Sequence, residues 1–315
     1  MVGGLILLGW SAYLWLKPLS TPYQYQLLAE GDSKRFPEVD LDAWPDLKLS
    51  QYKVQAEDID GSIAELVVAR KDDRKPVLIY WKNSTNELFY NLDRKPSELS
   101  LLATAINRHA SKDALILSWW DTSRQIGLLT GRDTFFNSHL NEPLILPTPW
   151  LEKLEAIRAY EDQFWGSEAS QEERDQFKRF SQALAAPAEE GIAQLRSLVG
   201  SNRETYLIVH LTDLYRLGLM YPDKIGVAYQ NFPLTGNTHG AINQMKVQLK
   251  KNNFNTYTLQ SISEGEVRAF FLSDTSSSQT LLARMLPFAE KKAPSELEVA
   301  QLIYQQGGYW VYKIP

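Results

Sequence analysis

The sequence predicts a mixed, partly parallel α/β body with a helical middle segment, carried behind an N-terminal transmembrane anchor. Three observations predict it. Residues 1–16 form an apolar run without a charged side chain. From about residue 50 the hydrophobic pattern switches repeatedly between a period of two and a period of 3.6. Two continuous apolar strands run directly into helix-start signals, at Asp121 and at Asp213.

The composition sets outer limits. The chain has 315 residues, 44% hydrophobic and 23% charged, with a formal net charge of −5 and no cysteine. The absence of Cys excludes disulfides, thiolate zinc sites, iron–sulfur ligation, a Cys nucleophile and covalent c-type haem attachment. The acidic balance argues against a nucleic-acid partner, which would want a basic surface.

Taken in order, Val2–Leu16 would rise about 22 Å as a helix, short of a hydrocarbon core of roughly 30 Å. Trp10, Tyr13 and Trp15 cluster where an aromatic belt would sit, and neither a basic leader nor a small-residue cleavage site is present. Residues 1–17 therefore read as a single membrane anchor whose beginning lies upstream, with a buried core helix as the alternative. Residues 18–48 read as a tether, broken by Pro18, Pro22, Pro37 and Pro45 and solvated by Glu38, Asp40, Asp42 and Asp46. Trp44 is expected to pack back on the body.

Residues 49–148 read as a first α/β domain. Ile63–Arg70 and Val77–Trp81 are β-rich runs around the charged turn Lys71–Lys75, hence a hairpin. A short strand is expected around Leu88–Tyr90. Leu99, Leu102, Ala103 and Ile106 make one face of an amphipathic helix. Ala114–Trp120 reads as a strand buried on both faces, and Thr122-Ser-Arg-Gln125 as a capping box opening a helix with Ile126 and Leu129 inward. Residues 149–200 read as the helical segment, with a helix over Trp150–Trp165, a capping box at Ser170-Gln-Glu-Glu173 and a break at Pro187.

Residues 201–315 repeat the α/β logic as a second domain. Tyr206–Leu211 and Lys224–Gln230 read as strands, with Thr212 or Asp213 capping a short helix. A loop ending at Thr238 and His239 leads into a helix with Ile242, Met245 and Leu249 on one face. Phe254–Leu259 and Val267–Leu272 read as strands, Leu281–Leu286 as a helix, Ser295-Glu-Leu-Glu298 as the cap of a last helix, and Tyr309–Ile314 as a closing strand after the Gly307–Gly308 turn.

In open α/β sheets, ligands sit beyond the carboxyl ends of the strands. Three such junctions are visible: Asp121, then His210 with Asp213, then His239. With Trp119, Trp120, Arg124 and Arg132 beside the first, these residues are the candidate ligand or partner crevice, if the strands are parallel neighbours. The competing reading makes the acids helix caps and the histidines hydrogen-bonded loop residues. No spacing supports a metal site or a cofactor, and no G-x-S-x-G, G-x-G-x-x-G or P-loop occurs. His109 and His139 are expected on the surface. No catalytic residue is assigned.

The segment Ala114-Leu-Ile-Leu-Ser-Trp-Trp-Asp121, followed by Ile126 and Gly131-Arg132, resembles the W-W-D-Y-G region of oligosaccharyltransferase catalytic subunits. In that family the motif reads the acceptor hydroxyl residue of the glycosylation sequon. Here Thr122-Ser123 replace the Tyr-Gly pair, and these residues hold no multi-span membrane domain. The resemblance therefore implies a shared strand–turn–helix architecture rather than shared catalysis.

A wider resemblance rests on the N-terminal anchor, Leu117-Ser-Trp-Trp-Asp-Thr-Ser-Arg-Gln-Ile126, Tyr229-Gln-Asn-Phe-Pro-Leu-Thr-Gly-Asn-Thr-His-Gly240 and Gly307-Gly-Tyr-Trp-Val-Tyr-Lys313. Together they resemble the hydroxylamine oxidation protein HaoB family, whose genes accompany the multihaem hydroxylamine oxidoreductase. That resemblance implies a non-catalytic accessory in the inner membrane, anchored once through residues 2–16, with its body in the periplasm. Its expected partner is the multihaem oxidoreductase or that enzyme's electron-transfer partner. It carries over no catalytic residues. The alternatives are an envelope binding module for a peptide, glycan or small solute in the same crevice, and a small enzyme with Asp121, His210 or His239 as general acid or base.

Overall fold

The structure, a computed structural model, describes residues 20–56, 59–84, 94–166, 169–200, 203–234, 238–289, 293–294 and 297–314. The expected anchor at residues 2–16 and the expected strand around Leu88–Tyr90 lie outside these residues. Among the described residues, no helix is long and apolar enough to cross a membrane.

A four-stranded antiparallel sheet comes first, built in sequential order from β1 (Tyr23–Gly31), β2 (Lys48–Ala56), β3 (Ser62–Arg70) and β4 (Val77–Asn83). The expected hairpin is β3–β4, with Leu66 opposite Trp81. Within the expected tether, residues 20–48 are not a solvated linker. Tyr23–Gly31 pairs along β2, and Phe36, Val39, Leu41, Trp44 and Leu47 are buried around two short 3-10 turns. Pro22 and Pro45 lie outside regular elements and Pro37 opens a 3-10 turn, but the apolar residues between the acids carry enough burial to hold the segment down. Trp44 does pack back, its indole N–H donating to the Leu129 carbonyl.

Helix α1 (Pro96–His109) buries the stripe read from its spacing, and β5 (Leu115–Ser118) is buried at every residue. Helix α2 (Trp120–Thr130) starts ahead of the expected capping box, with Trp119 at the N-cap. Thr122 and Gln125 are instead inside the helix and buried, and Gln125 Nε2 donates to the Leu78 carbonyl at 2.8 Å. After β6 (Asp133–Thr134) come α3 (Leu154–Trp165), α4 (Gln171–Leu184) and α5 (Ala188–Val199). Ser170 caps α4 as expected, its hydroxyl accepting from the Glu173 N–H at 3.1 Å. The Glu173 carboxylate turns away to the N–H groups of Asn137 and Ser138. Pro187 separates α4 from α5.

The fully buried strand β7 (Thr205–His210) leads into α6 (Asp213–Met220). Strands β8 (Val227–Pro233), β9 (Thr256–Ser263) and β10 (Glu266–Leu272) form a separate antiparallel sheet, ordered β8-β10-β9, with α7 (Thr238–Lys251) packed on Phe232, Val267 and Phe271 through Ala241 and Met245. Two short helices, α8 (Thr275–Gln279) and α9 (Leu281–Arg284), precede the hairpin β11 (Gln301–Gln306) and β12 (Tyr309–Ile314). The helix expected after Ser295 is thus replaced by β11, whose residues alternate exposed and half-buried as an edge strand requires. Gly307, at φ 56°, makes the hairpin turn, a left-handed conformation that glycine adopts without steric cost.

The central sheet is ordered β11-β12-β7-β5-β6, with β5 parallel to β6 and β7, and β12 antiparallel to β7. Alternate residues serve two cores. Leu117, Leu207, Val209, Tyr312 and Ile314 pack with Phe177, Phe180 and Leu195 of the helical segment. Ile116, Tyr206, Ile208, Tyr309 and Val311 pack with α1 and with Val67 and Ile79 of the first sheet. Burial on both faces is why β5 and β7 read as unbroken apolar runs.

Candidate functional site

The parallel pairing of β5 with β7, with Ser118 beside Ile208, brings two of the three strand-end junctions together. Asp121 and the His210–Asp213 turn meet there. The third junction goes elsewhere, because β8 pairs antiparallel with β10 in the other sheet. His239 is exposed in the first turn of α7.

What fills the shared junction is a buried ionic network centred on Arg94, which precedes α1. Its Nε donates to Thr212 Oγ1 at 3.0 Å, Nη1 to Thr122 Oγ1 at 2.8 Å and Nη2 to Asp213 Oδ1 at 2.8 Å. Asp121 lies 3.5 Å from Arg94 Nη1 and 2.7 Å from Arg216 Nη1. The second oxygen of Asp213 accepts from the His210 N–H at 2.8 Å. Two guanidiniums thus face two carboxyl groups, and all four side chains are 7% exposed or less; burial raises the Asp213 carboxyl against the pull of Arg94 and Arg216.

Each charge is set by its neighbours. Burial opposes the Asp121 carboxylate, but Arg216 and Arg94 overcome it and hold the group well below the usual carboxylate range. Burial likewise opposes the Arg94 charge, which Asp121 and Asp213 hold above its ordinary value. For His210, burial together with Arg94 and Arg216 pushes the imidazole well below its usual value, so the ring is neutral. Its Nδ1 accepts from the Thr212 N–H at 3.1 Å, which assigns the proton to Nε2. That Nε2 has no hydrogen-bond partner among the described residues, and its ring edge lies against Gly308 and Tyr309. A Cβ at Gly308 would stand 2.3 Å from Nε2, so the hairpin turn at 307–308 and the imidazole fit only with glycine there.

Of the remaining candidate residues, Trp119 packs against the network, whereas Arg124 and Arg132 are not brought to it and line a separate cleft. Trp119 is 1% exposed, edge-on to Phe177 and under the Arg216 guanidinium. Trp120 Nε1 donates to the Glu142 carbonyl at 2.6 Å. Arg124 donates to the Pro76 carbonyl at 2.6 Å, and Arg132 to the Ala110 carbonyl at 3.0 Å, where it satisfies the end of α1. His139, expected on the surface, is buried between Trp120 and Trp165 and stacks on the latter at 5.0 Å. Its imidazole is held well below the usual value by burial and by Arg124.

Sequence reasoning missed Arg94, Arg216 and Tyr309, and it read Thr212 only as a possible helix cap; Thr212 is at the N-cap, but its hydroxyl bonds Arg94 and His210. Arg216 had a legible signal: it follows Asp213 by one turn on the face that also carries Leu217, and a charge on an apolar stripe implies a buried partner. Arg94 had none. Also missed is Glu161, fully buried in α3, which accepts from the hydroxyls of Tyr23 and Tyr25 and from Trp165 Nε1. Burial holds its carboxyl above the usual range.

Among the described residues, no group of three or more His, Asp or Glu could hold a metal ion. Chemically, the network is a clamp: its polar atoms are turned on one another, joining α1, α2 and α6 at one sheet end. Open space lies elsewhere. A cleft of about 790 Å³ reaches from the β3–β4 turn past Leu115 to Arg203. An apolar groove of about 440 Å³ runs between α1 and β11, lined by Ile106, Tyr206, Tyr304 and Val311 with His109 and Lys313.

Over residues 1–314 the chain matches the family described as HaoA-associated protein HaoB. No curated protein matches it. Among solved structures, the C. jejuni pglb C-terminal domain is similar with a TM-score of 0.38 and 10% identity, over 69% of this chain and 99% of that one.

Proposed function

The chain belongs to the family of the HaoA-associated protein HaoB, and from that premise we propose that it is an accessory protein of hydroxylamine oxidation that docks, assembles or anchors a multihaem hydroxylamine oxidoreductase. The family match over the whole chain carries this reading. Asp121, Asp213, Arg94 and Arg216 are buried and committed to one another, so in this reading a partner is met elsewhere on the surface. With no cysteine, the chain cannot carry c-type haem covalently, so in this reading the redox chemistry belongs to the partner. Residues 2–16 would hold the protein once in the inner membrane, with the body in the periplasm.

The test is affinity capture of the full chain from detergent-solubilised membranes of a hydroxylamine-oxidising cell. Co-elution of the oxidoreductase, identified by mass spectrometry and haem absorbance, is the expected result. Its absence from the eluate overturns the proposal. The apolar groove beside α1 favours a second reading, an envelope binding module for a small solute or peptide. Thermal-shift screening separates the two, since a ligand at 100 times its Kd adds about 2.7 kcal/mol.

A further inference from the structure

We propose that the cleft beside α2 is a docking site for a carboxylate-rich surface of the protein partner. This rests on the association proposed above and specifies the face that makes it. The cleft is lined by Arg74, Lys75, Arg124, Arg132 and Arg203 against two acids, Asp73 and Asp133. Among the described lining residues cations outnumber acids by three, in a chain whose net charge is −5. An acidic partner is repelled by the bulk of such a molecule and drawn to this one region, the arrangement that steers encounter and sets orientation.

The cations have different parts. Arg124 and Arg132 are fixed by the Pro76 and Ala110 carbonyls and form a rigid positive floor. Arg203 bonds the Asp113 carbonyl and neutralises Asp133 at 2.8 Å. Arg74 and Lys75 stand exposed on the β3–β4 turn, where a partner arrives.

The size of the cleft favours carboxylates on a protein over a small phosphate. The cleft's volume of about 790 Å³ is far more than one small anion fills. It also meets the C-terminal end of α2 at Gly131, whose dipole opposes any anion, so the attraction has to come from the side-chain cations. Recognition is left to guanidinium and ammonium side chains, which suit carboxylates presented by a chain segment.

The test uses the full chain in detergent and two probes, the purified hydroxylamine oxidoreductase and an octaglutamate peptide. In R74E/K75E, two exposed turn residues change, and circular dichroism and the thermal midpoint verify the fold. The association rate with the oxidoreductase should fall about tenfold at low salt, and octaglutamate binding should be lost. K246E, a charge reversal on the exposed face of α7, should stay within about twofold of the wild type. If wild type and R74E/K75E bind the oxidoreductase alike, the cleft assignment is overturned while the association stands. If the wild type binds octaglutamate through the cleft but not the oxidoreductase, the association falls and the anionic specificity stands. Binding of neither probe overturns both. Displacement of octaglutamate by millimolar inorganic phosphate at constant ionic strength would mark a small-anion site and also overturn the assignment.

Discussion

Replacing Asp121 with alanine strikes the ionic network where it is least redundant. Arg94 would keep Asp213, Thr122 and Thr212, each at 3.0 Å or less. Arg216 would lose the carboxylate 2.7 Å away while remaining 5% exposed, with the Trp119 face as its cation–π neighbour. Removing one partner of a buried ion pair costs about 3–5 kcal/mol, because the surviving charge is stranded in low dielectric. The expected loss is in that range, read as a shift in the urea midpoint by tryptophan fluorescence and circular dichroism. The decisive comparison is D121A/R216M, which removes the stranded charge and fills its volume with an apolar chain. It should be more stable than D121A alone, with a non-additive term of about 0.5–3 kcal/mol relative to the sum of the single variants. A loss below about 1 kcal/mol for D121A, or strict additivity in the double variant, would refute the network as the clamp joining α2 to α6.

Other outcomes follow from the same geometry. G308A should lose about 1–3 kcal/mol by overpacking, since its Cβ would fall 2.3 Å from His210 Nε2. G265A, with nothing within 4 Å, should change the thermal midpoint little, and equal midpoints for the two would contradict the fit. S170A should cost about 1 kcal/mol through loss of the α4 cap; an unchanged urea midpoint would show that the cap is dispensable. His139 is held well below its usual pKa by burial and by Arg124, so unfolding takes up a proton below the unfolded value of about 6.5. The stability this neutral imidazole contributes is present above that pH and lost as pH falls, by about 1.4 kcal/mol per unit. H139F should flatten the pH dependence of unfolding by that slope, and an unaltered slope would place the titration elsewhere.

Several elements were legible because their causes are local. The α1 stripe, the β3–β4 hairpin and the Ser170 cap each depend on residues a few positions apart, and the structure contains all three. The Thr122–Gln125 box was equally regular but went unused. Thr122 is claimed by Arg94, 28 residues away, and Gln125 by the Leu78 carbonyl, 47 residues away. The segment after Ser295 failed for a related reason. A capping pattern states where a helix could begin, whereas β12 offers a strand edge that pairs Gln301–Gln306.

The sequence by itself determined the family, the exclusion of thiol and covalent c-haem chemistry, and the strands that must be buried on both faces. Periodicity, composition and long similarity are properties of the linear chain. Only the tertiary structure decided which charges meet. Arg94 and Asp213 are 119 residues apart and bonded at 2.8 Å, and His239 is drawn away because β8 joins β10 rather than β7. Ionic partnership depends on distance and desolvation, which no spacing along the chain records. The expected open crevice is therefore a closed network, and the positive surface left for a partner lies beside α2.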